Sequence, residues 1–281
     1  MRILPVNLLV DTVRQCCIEG ATLLPDDVLA ALKNAETNEQ STLGRSFLNQ
    51  CIENADIARN ESMPICQDTG FAVFFAEIGQ EVLLESGTWD EAFNEGVRQG
   101  YTDGYLRKSI VCDPLFDRKN TRDNIPAVVH YSFVPGDKVR IVFAPKGGGS
   151  ENMSAVKMLK VSEGRQGIVD FVVNSVINAG GNPCPPTIVG VGIGGTFEKC
   201  AFLAKKALLR KVGSVNPDER YAELEREILE KINASGVGPQ GLGGNTTALA
   251  VHIEHHPCHI ASLPCAVNLN CHAARHVEKE I

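Results

Sequence analysis

The chain has 281 residues, of which 43% are hydrophobic, and a formal net charge of −7. That supplies a substantial core, in one large domain or two smaller lobes. The acidic balance and the lack of any basic stretch interleaved with aromatics exclude a nucleic-acid surface. No apolar run reaches the ~18 residues of a membrane helix.

The first 60 or so residues read as helical. MRILPVNLLVDTVRQCC meets its first acid at Asp11 and lacks a small-residue cleavage site, so it is an amphipathic helix and not a signal peptide. PDDVLAALKNA opens with proline and acids, and STLGRSFLNQCIENADIA repeats the helical spacing. After a turn around Cys66, FAVFFAEI suits a buried strand. TWDEAFNEGVRQGYTDGYLR starts with Thr88 and Glu91 in a capping-box arrangement. AVVHYSFVPGDKVRIVFA predicts a hairpin turning at Pro-Gly-Asp. KGGGSEN then leads into MSAVKML, for which a helix start is one reading. GIVDFVVNSVINAGG is a helix ended by glycines, PTIVGVGIGG a strand, and TFEKCAFLAKKALLRK and NPDERYAELEREILEKINASG are helices. TALAVHIEHH and HIASLPCAVNLN finish as strands. The predicted class is mixed α/β, with a helical N-terminal lobe packed on a sheet-containing lobe with antiparallel strand pairs. We expect one domain over 1–281, helical over about 1–62 and α/β over about 63–281.

Ten cysteines without a secretion signal point to a reducing, cytoplasmic compartment, where metal or redox roles outrank disulfides. Cys16, Cys17, Cys51 and Cys200 fall in helix patterns and read as small core hydrophobes. Cys66 in MPICQDTG, Cys184 in GGNPCPPTIVGVGIGG and Cys271 in LNCHAARH differ, because each sits in a turn and none belongs to a CxxC pair. A metal site built from them must be assembled by the tertiary fold. Three thiolates can hold an iron–sulfur cluster while leaving one iron without a protein ligand. An open metal position is what a Lewis-acid catalyst needs. Cys112 lacks turn glycines and is a weaker ligand candidate.

Four glycine-rich loops stand out: QDTG, KGGGSEN, GVGIGG and GPQGLGGNTT. Backbone N–H groups in such loops make seats for carboxylates or sulfide, although a lone glycine run is commonly just a tight turn. Gly190, Gly192 and Gly195 satisfy G-x-G-x-x-G, but no strand ending in an acid follows about 20 residues on. Asp68 can shuttle a proton or orient water beside Cys66, or serve in an Asx turn. Arg107 can fork onto a substrate carboxylate or sit as a helix-end cation. The HIEHHPCHIAS segment matches no zinc spacing, and His259, ahead of a strand, is the histidine favoured for a carboxylate pocket.

Taken jointly, PICQDTG, PKGGGSEN, NPCPPTIVGVGIGGT, GPQGLGGNTTALAVHIE and CHAARH resemble the class I, iron–sulfur-dependent fumarate hydratases, over about residues 10 to 276. More narrowly the chain resembles the separate α subunit of the two-subunit form, with the α subunit of L(+)-tartrate dehydratase as a near relative. The resemblance implies a [4Fe-4S] cluster held by Cys66, Cys184 and Cys271. It implies reversible hydration of fumarate to (S)-malate, a step of the tricarboxylic acid cycle. Substrate contacts would come from Gln67, Asp68, Arg107, Gly147, Gly148, Gly149, Ser150, Glu151 and Asn152, with Asp68 and His259 as catalytic candidates. A separate β subunit would complete the active site, in an α2β2 assembly. Ser150-Glu151-Asn152 and HIASLP favour fumarate over tartrate. The rivals are tartrate or another 2-hydroxy dicarboxylate as substrate, a non-catalytic nucleotide-binding subunit, and an electron-transfer protein with Cys112 or Cys258 as fourth ligand.

Overall fold

The computed structural model describes residues 1–281. In chain order its elements are β1 (Arg2–Leu4), α1 (Val6–Thr22), α2 (Asp26–Asn38), α3 (Thr42–Glu61), β2 (Phe71–Gly79), β3 (Val82–Leu84), α4 (Trp89–Asp103), β4 (Val128–Val134), β5 (Val139–Lys146) and α5 (Gly148–Glu151). There follow β6 (Ala155–Leu159), α6 (Gly164–Ala179), β7 (Thr187–Gly194), α7 (Phe197–Ala207), α8 (Glu219–Asn233), β8 (Ala248–His256), β9 (Leu263–Asn270) and β10 (Val277–Glu280). The class is mixed α/β with a helical N-terminal region, as the sequence predicts. Two compact units share the chain. One comprises Met1–Leu24, Asp56–Gly148 and Arg275–Ile281, and the other Pro25–Ala55 and Gly149–Ala274. The N-terminal helices are therefore divided, with α1 in the first unit and α2 in the second. No helix is long and apolar enough to cross a membrane.

The first unit carries a four-stranded sheet in the order β10-β5-β2-β4. Phe74 of β2 meets Phe143 of β5 and Phe93 of α4, with ring centroids 4.8 and 5.0 Å apart. Leu9 and Val13 of α1 and Tyr101 of α4 complete this core, each buried side chain being worth roughly 1.5–3 kcal/mol. α4 opens on the predicted capping box: Glu91 N–H donates to Thr88 Oγ1 at 3.2 Å, and Thr88 N–H to Glu91 Oε2 at 2.9 Å.

The predicted β4–β5 hairpin does not form. β4 pairs in parallel with one edge of β2, and β5 pairs antiparallel with the other. The physical reason lies in the side chains. β2 is apolar and buried almost throughout, so it takes the centre, whereas β4 is largely exposed and takes an edge. The Pro-Gly-Asp turn instead passes over the end of β2. There Gly79 N–H donates to the Lys138 carbonyl at 2.8 Å and Gln80 N–H to the Val134 carbonyl at 2.9 Å.

The second unit has the sheet order β6-β9-β7-β8. β7, TIVGVGIG, is buried along its whole length. Its period of two splits the faces: Val189, Val191 and Ile193 share a core with Val172 and Val176 of α6 and Ile228 and Ile232 of α8. Gly190 and Gly192 face α7 instead. A Cβ at either would collide with a backbone carbonyl of that helix, Ala204 or Cys200. These glycines let α7 lie directly on the strand. β7 has β8 parallel on one side and β9 antiparallel on the other, unlike the parallel surroundings of a dinucleotide fingerprint. The nucleotide-binding reading is not favoured.

Candidate active site

Strand register decides where the cysteine turns fall. In the first unit Phe71 of β2 lies opposite Lys146 of β5. The turn entering β2, Cys66 to Gly70, and the glycines leaving β5 therefore meet at one end of that sheet. Asp68 braces them: Gly148 N–H donates to its Oδ2 at 2.8 Å and Gly70 N–H to its Oδ1 at 3.2 Å. Thr69 Oγ1 donates to the Arg107 carbonyl at 3.0 Å. Tyr101, fully buried, shares its phenol hydrogen between the Thr69 and Gly70 carbonyls, 3.0 Å from each. Burial pushes the Tyr101 hydroxyl well above its ordinary pKa, so it stays a donor. Asn124 Nδ2 reaches the Gly70 carbonyl at 3.3 Å, and Arg275 Nη2 the Asp68 carbonyl at 3.3 Å. Gly70 has φ 82°, and a Cβ there would stand 2.8 Å from the Lys146 nitrogen. On this braced turn Cys66 is half-buried and Gln67 exposed. The Asp68 N–H points at Cys66 Sγ, 3.4 Å away. Arg107 is exposed, its guanidinium in no hydrogen bond or ion pair.

In the second unit Ile188 of β7 pairs with Asn270 of β9, and Thr187 with Ala248 of β8. The loops carrying Cys184, Cys271 and Gln240 consequently gather at one end of this sheet. His272 is the tie: its backbone N–H and its Nδ1 reach the Cys184 carbonyl at 3.3 and 3.0 Å. The Phe47 ring stands edge-on to His272, with centroids 5.4 Å apart. Gln240 N–H donates to the Pro185 carbonyl at 2.8 Å, and its Nε2 lies 3.9 Å from Cys184 Sγ. Cys184 and Gln240 both occupy the left-handed region, with φ 55° and 54°. A non-glycine residue held there costs on the order of 1–2 kcal/mol, a strain that concentrates at functional sites. Cys51 of α3 is a close neighbour. Burial, and then the charges of Cys271 and Cys184, push its thiol up to about 12.

The glycine loops turn out to serve different ends. The QDTG seat holds Asp68. The GPQGLGGNTT seat holds Glu39: Ser41 N–H and Asn245 N–H donate to its carboxylate at 2.9 and 3.1 Å. Burial raises the pKa of Glu39, but the backbone donors outweigh it and the net shift is downward. GVGIGG serves helix packing. In KGGGSEN the last two glycines open the short α5, and strand β6 follows instead of a longer helix. Ser150 is buried. Glu151 is bound to Lys205 Nζ at 2.6 Å and accepts from Asn268 Nδ2 at 2.8 Å. Gly149 and Asn152 are exposed.

His259 falls elsewhere. It lies between β8 and β9, in a cavity of about 410 Å³ lined by Gly195, Thr196, Lys199 and Cys258. That is the far end of the sheet from Cys184 and Cys271, roughly 20 Å away at ~3.3 Å per strand residue. Within this chain a strand the length of β9 separates His259 from Cys271. Cys112 and Cys258 are exposed, and Cys258 lines the same cavity as His259, at the far end of the sheet from Cys184 and Cys271.

Three free cysteines are half-buried, Cys66, Cys184 and Cys271, while Cys16, Cys17, Cys51, Cys200 and Cys265 are buried. Cys66 in the first unit, and Cys184 and Cys271 in the second, are accessible thiols in braced turns, side chains of the chemical kind that can ligate an iron–sulfur cluster. No three Cys, His, Asp or Glu side chains close on a single ion.

Residues 10–280 match the family model Fumerase, described as fumarate hydratase. The chain belongs to the fumarate hydratase family. It is 44% identical over 277 residues to a Methanocaldococcus jannaschii protein provisionally named L(+)-tartrate dehydratase subunit alpha, covering 96% of each chain. It is 35% identical over 274 residues to the L(+)-tartrate dehydratase subunit alpha of Escherichia coli K12, covering 96% of this chain and 89% of that one. For this fumarate hydratase family member, sequence reasoning missed Tyr101, Glu39, His272 and Arg275. The last two stood in the CHAARH motif, where a histidine and an arginine beside a turn cysteine were the available signal.

Proposed function

We propose that this chain is the cluster-bearing α subunit of a hydro-lyase that interconverts fumarate and (S)-malate. The observation that carries the reading is that a member of this family presents Cys66, Cys184 and Cys271 as half-buried free thiols in turns at strand ends. These residues would hold a [4Fe-4S] cluster, whose open iron supplies Lewis acidity toward a hydroxyl and a carboxylate.

The chain's own residues do the rest. Asp68 fixes the Cys66–Gly70 turn against Gly148, so the exposed Gln67 amide is presented from a rigid seat. Holding the diacid in one orientation selects the face of the double bond that reacts. The exposed Arg107 guanidinium, anchored through its carbonyl to Thr69, supplies positive charge for a carboxylate whose negative charge grows as the C–H bond breaks. Asp68 keeps a lone pair on each oxygen and can orient a water at that point. The remaining proton-transfer groups would come from a separate β chain, in an α2β2 assembly in the cytoplasm.

L(+)-tartrate is the second reading, and the names of the relatives favour it. The sequence preference for fumarate lay partly in Glu151, whose carboxylate is spent on Lys205 and Asn268. Anaerobic co-expression with a candidate β chain, followed by iron and sulfide analysis and assays on malate and tartrate, tests both. Fumarate formed from malate supports the first reading, and preferential turnover of tartrate the second. A fully loaded complex that dehydrates neither overturns both.

A further inference from the structure

We propose that the buried guanidinium of Arg275 binds one carboxylate of the dicarboxylate substrate beside the Cys66–Gly70 turn. This rests on the hydro-lyase reading. Arg275 is 4% exposed. Its Nη2 donates to the Asp68 carbonyl at 3.3 Å. Its Nε and Nη1 are enclosed and reach no acceptor. No ion pair compensates its charge. Asp68, the acid on the same turn, accepts from Gly70 and Gly148 and makes no ion pair with the guanidinium. Tyr101, whose hydroxyl feels the Arg275 charge, donates to carbonyls and offers no anion.

A guanidinium does not deprotonate in a protein. Burying one with its Nε and Nη1 donors unsatisfied costs free energy that no hydrogen bond within the chain recovers. An anion recovers it, and a carboxylate, two oxygens wide, matches the guanidinium's hydrogen-bonding edge. The position agrees, since the carbonyl that Arg275 holds belongs to the residue following Gln67. Because the free N–H groups are sealed, binding is coupled to a small local opening. Arg275 and Arg107 would then take opposite carboxylates of the diacid.

The test uses the anaerobically prepared α–β complex with Arg275→Gln and Arg275→Lys. Calorimetric titration with L-malate, L(+)-tartrate and acetate is read beside iron and sulfide content and circular dichroism. The expected result is unchanged iron with diacid binding weakened about 10- to 100-fold in Arg275→Gln, the loss set by a hydrogen bond to a charged group. Arg275→Lys should fall between, since an ammonium keeps the charge but not the edge. It also keeps the measurement alive if the glutamine variant misfolds. Arg275→Ala should regain affinity on addition of guanidinium, which a purely structural role would not produce. Unchanged diacid affinity overturns the proposal. So does iron lost in step with affinity, which would assign Arg275 to the cluster end of the site. Failure of the wild-type complex to turn over any diacid while still binding it through Arg275 would sink the hydro-lyase reading alone.

Discussion

Tyr101→Phe is the sharpest probe of how the Cys66 turn is held. The substitution deletes one oxygen and leaves the ring in a core that includes Phe74, Phe93 and Phe143. Two carbonyls lose a donor, but unequally. The Gly70 carbonyl keeps Asn124 Nδ2 at 3.3 Å, whereas no second donor is found for the Thr69 carbonyl. One buried orphan acceptor costs about 1–3 kcal/mol. That corresponds to a melting temperature lowered by about 2–10 °C for a unit of this size. Removing the second donor as well, in Tyr101→Phe/Asn124→Ala, orphans Gly70 too, so the double variant should lose more than the sum of the singles. Trp89, the only tryptophan, starts the helix that carries Tyr101, so its fluorescence reports the first unit directly. Denaturant titration followed at Trp89, with iron content after loading, is the assay. A Tyr101→Phe protein within about 0.3 kcal/mol of wild type, additive with Asn124→Ala, would show that the phenol does not brace the turn.

Other outcomes follow from the same geometry. Serine at Cys66, Cys184 or Cys271 should abolish activity and iron binding, while Cys112→Ser and Cys258→Ser keep both; iron analysis of the five variants decides it, and full iron in all of the first three overturns the ligand set. Gly192→Ala drives a methyl into the Cys200 carbonyl and should cost roughly 1–3 kcal/mol by overpacking, measured by calorimetry; a neutral effect refutes the close approach of α7. Buried His252 has its pKa pushed down to about 4, by burial first and then by the Arg210 charge, with Glu225 and Asp27 pulling weakly the other way. Between about pH 6.5 and 4 the unfolded chain binds a proton that the folded chain refuses, so stability falls with pH across that window, by roughly 3 kcal/mol in all, and levels off below it. Urea titrations of wild type and His252→Leu should show a clearly steeper loss in wild type, most of all between about pH 6.5 and 5 where the carboxylates do not yet titrate.

The sequence by itself determined the elements, because period and capping are local properties. The Thr88–Glu91 box, the continuous apolar run of β2 and the glycine-ended α6 were all readable from side chains a few residues apart. It also singled out Cys66, Cys184 and Cys271, since turn chemistry marks them off from the cysteines in helix patterns. What neighbours what across the sheets was decided by the tertiary structure alone. β2 displaced the local β4–β5 hairpin because burying an apolar strand on both faces outweighs the advantage of a short loop. Register put Cys184 and Cys271 at one sheet end and sent His259 to the other. The seats in two glycine loops were filled by Asp68 and by Glu39, an acid about 200 residues from its loop. Arg275 became conspicuous only once burial had removed its water without giving it a partner. Charge compensation depends on what surrounds a group in space, and the order of residues along the chain does not record it.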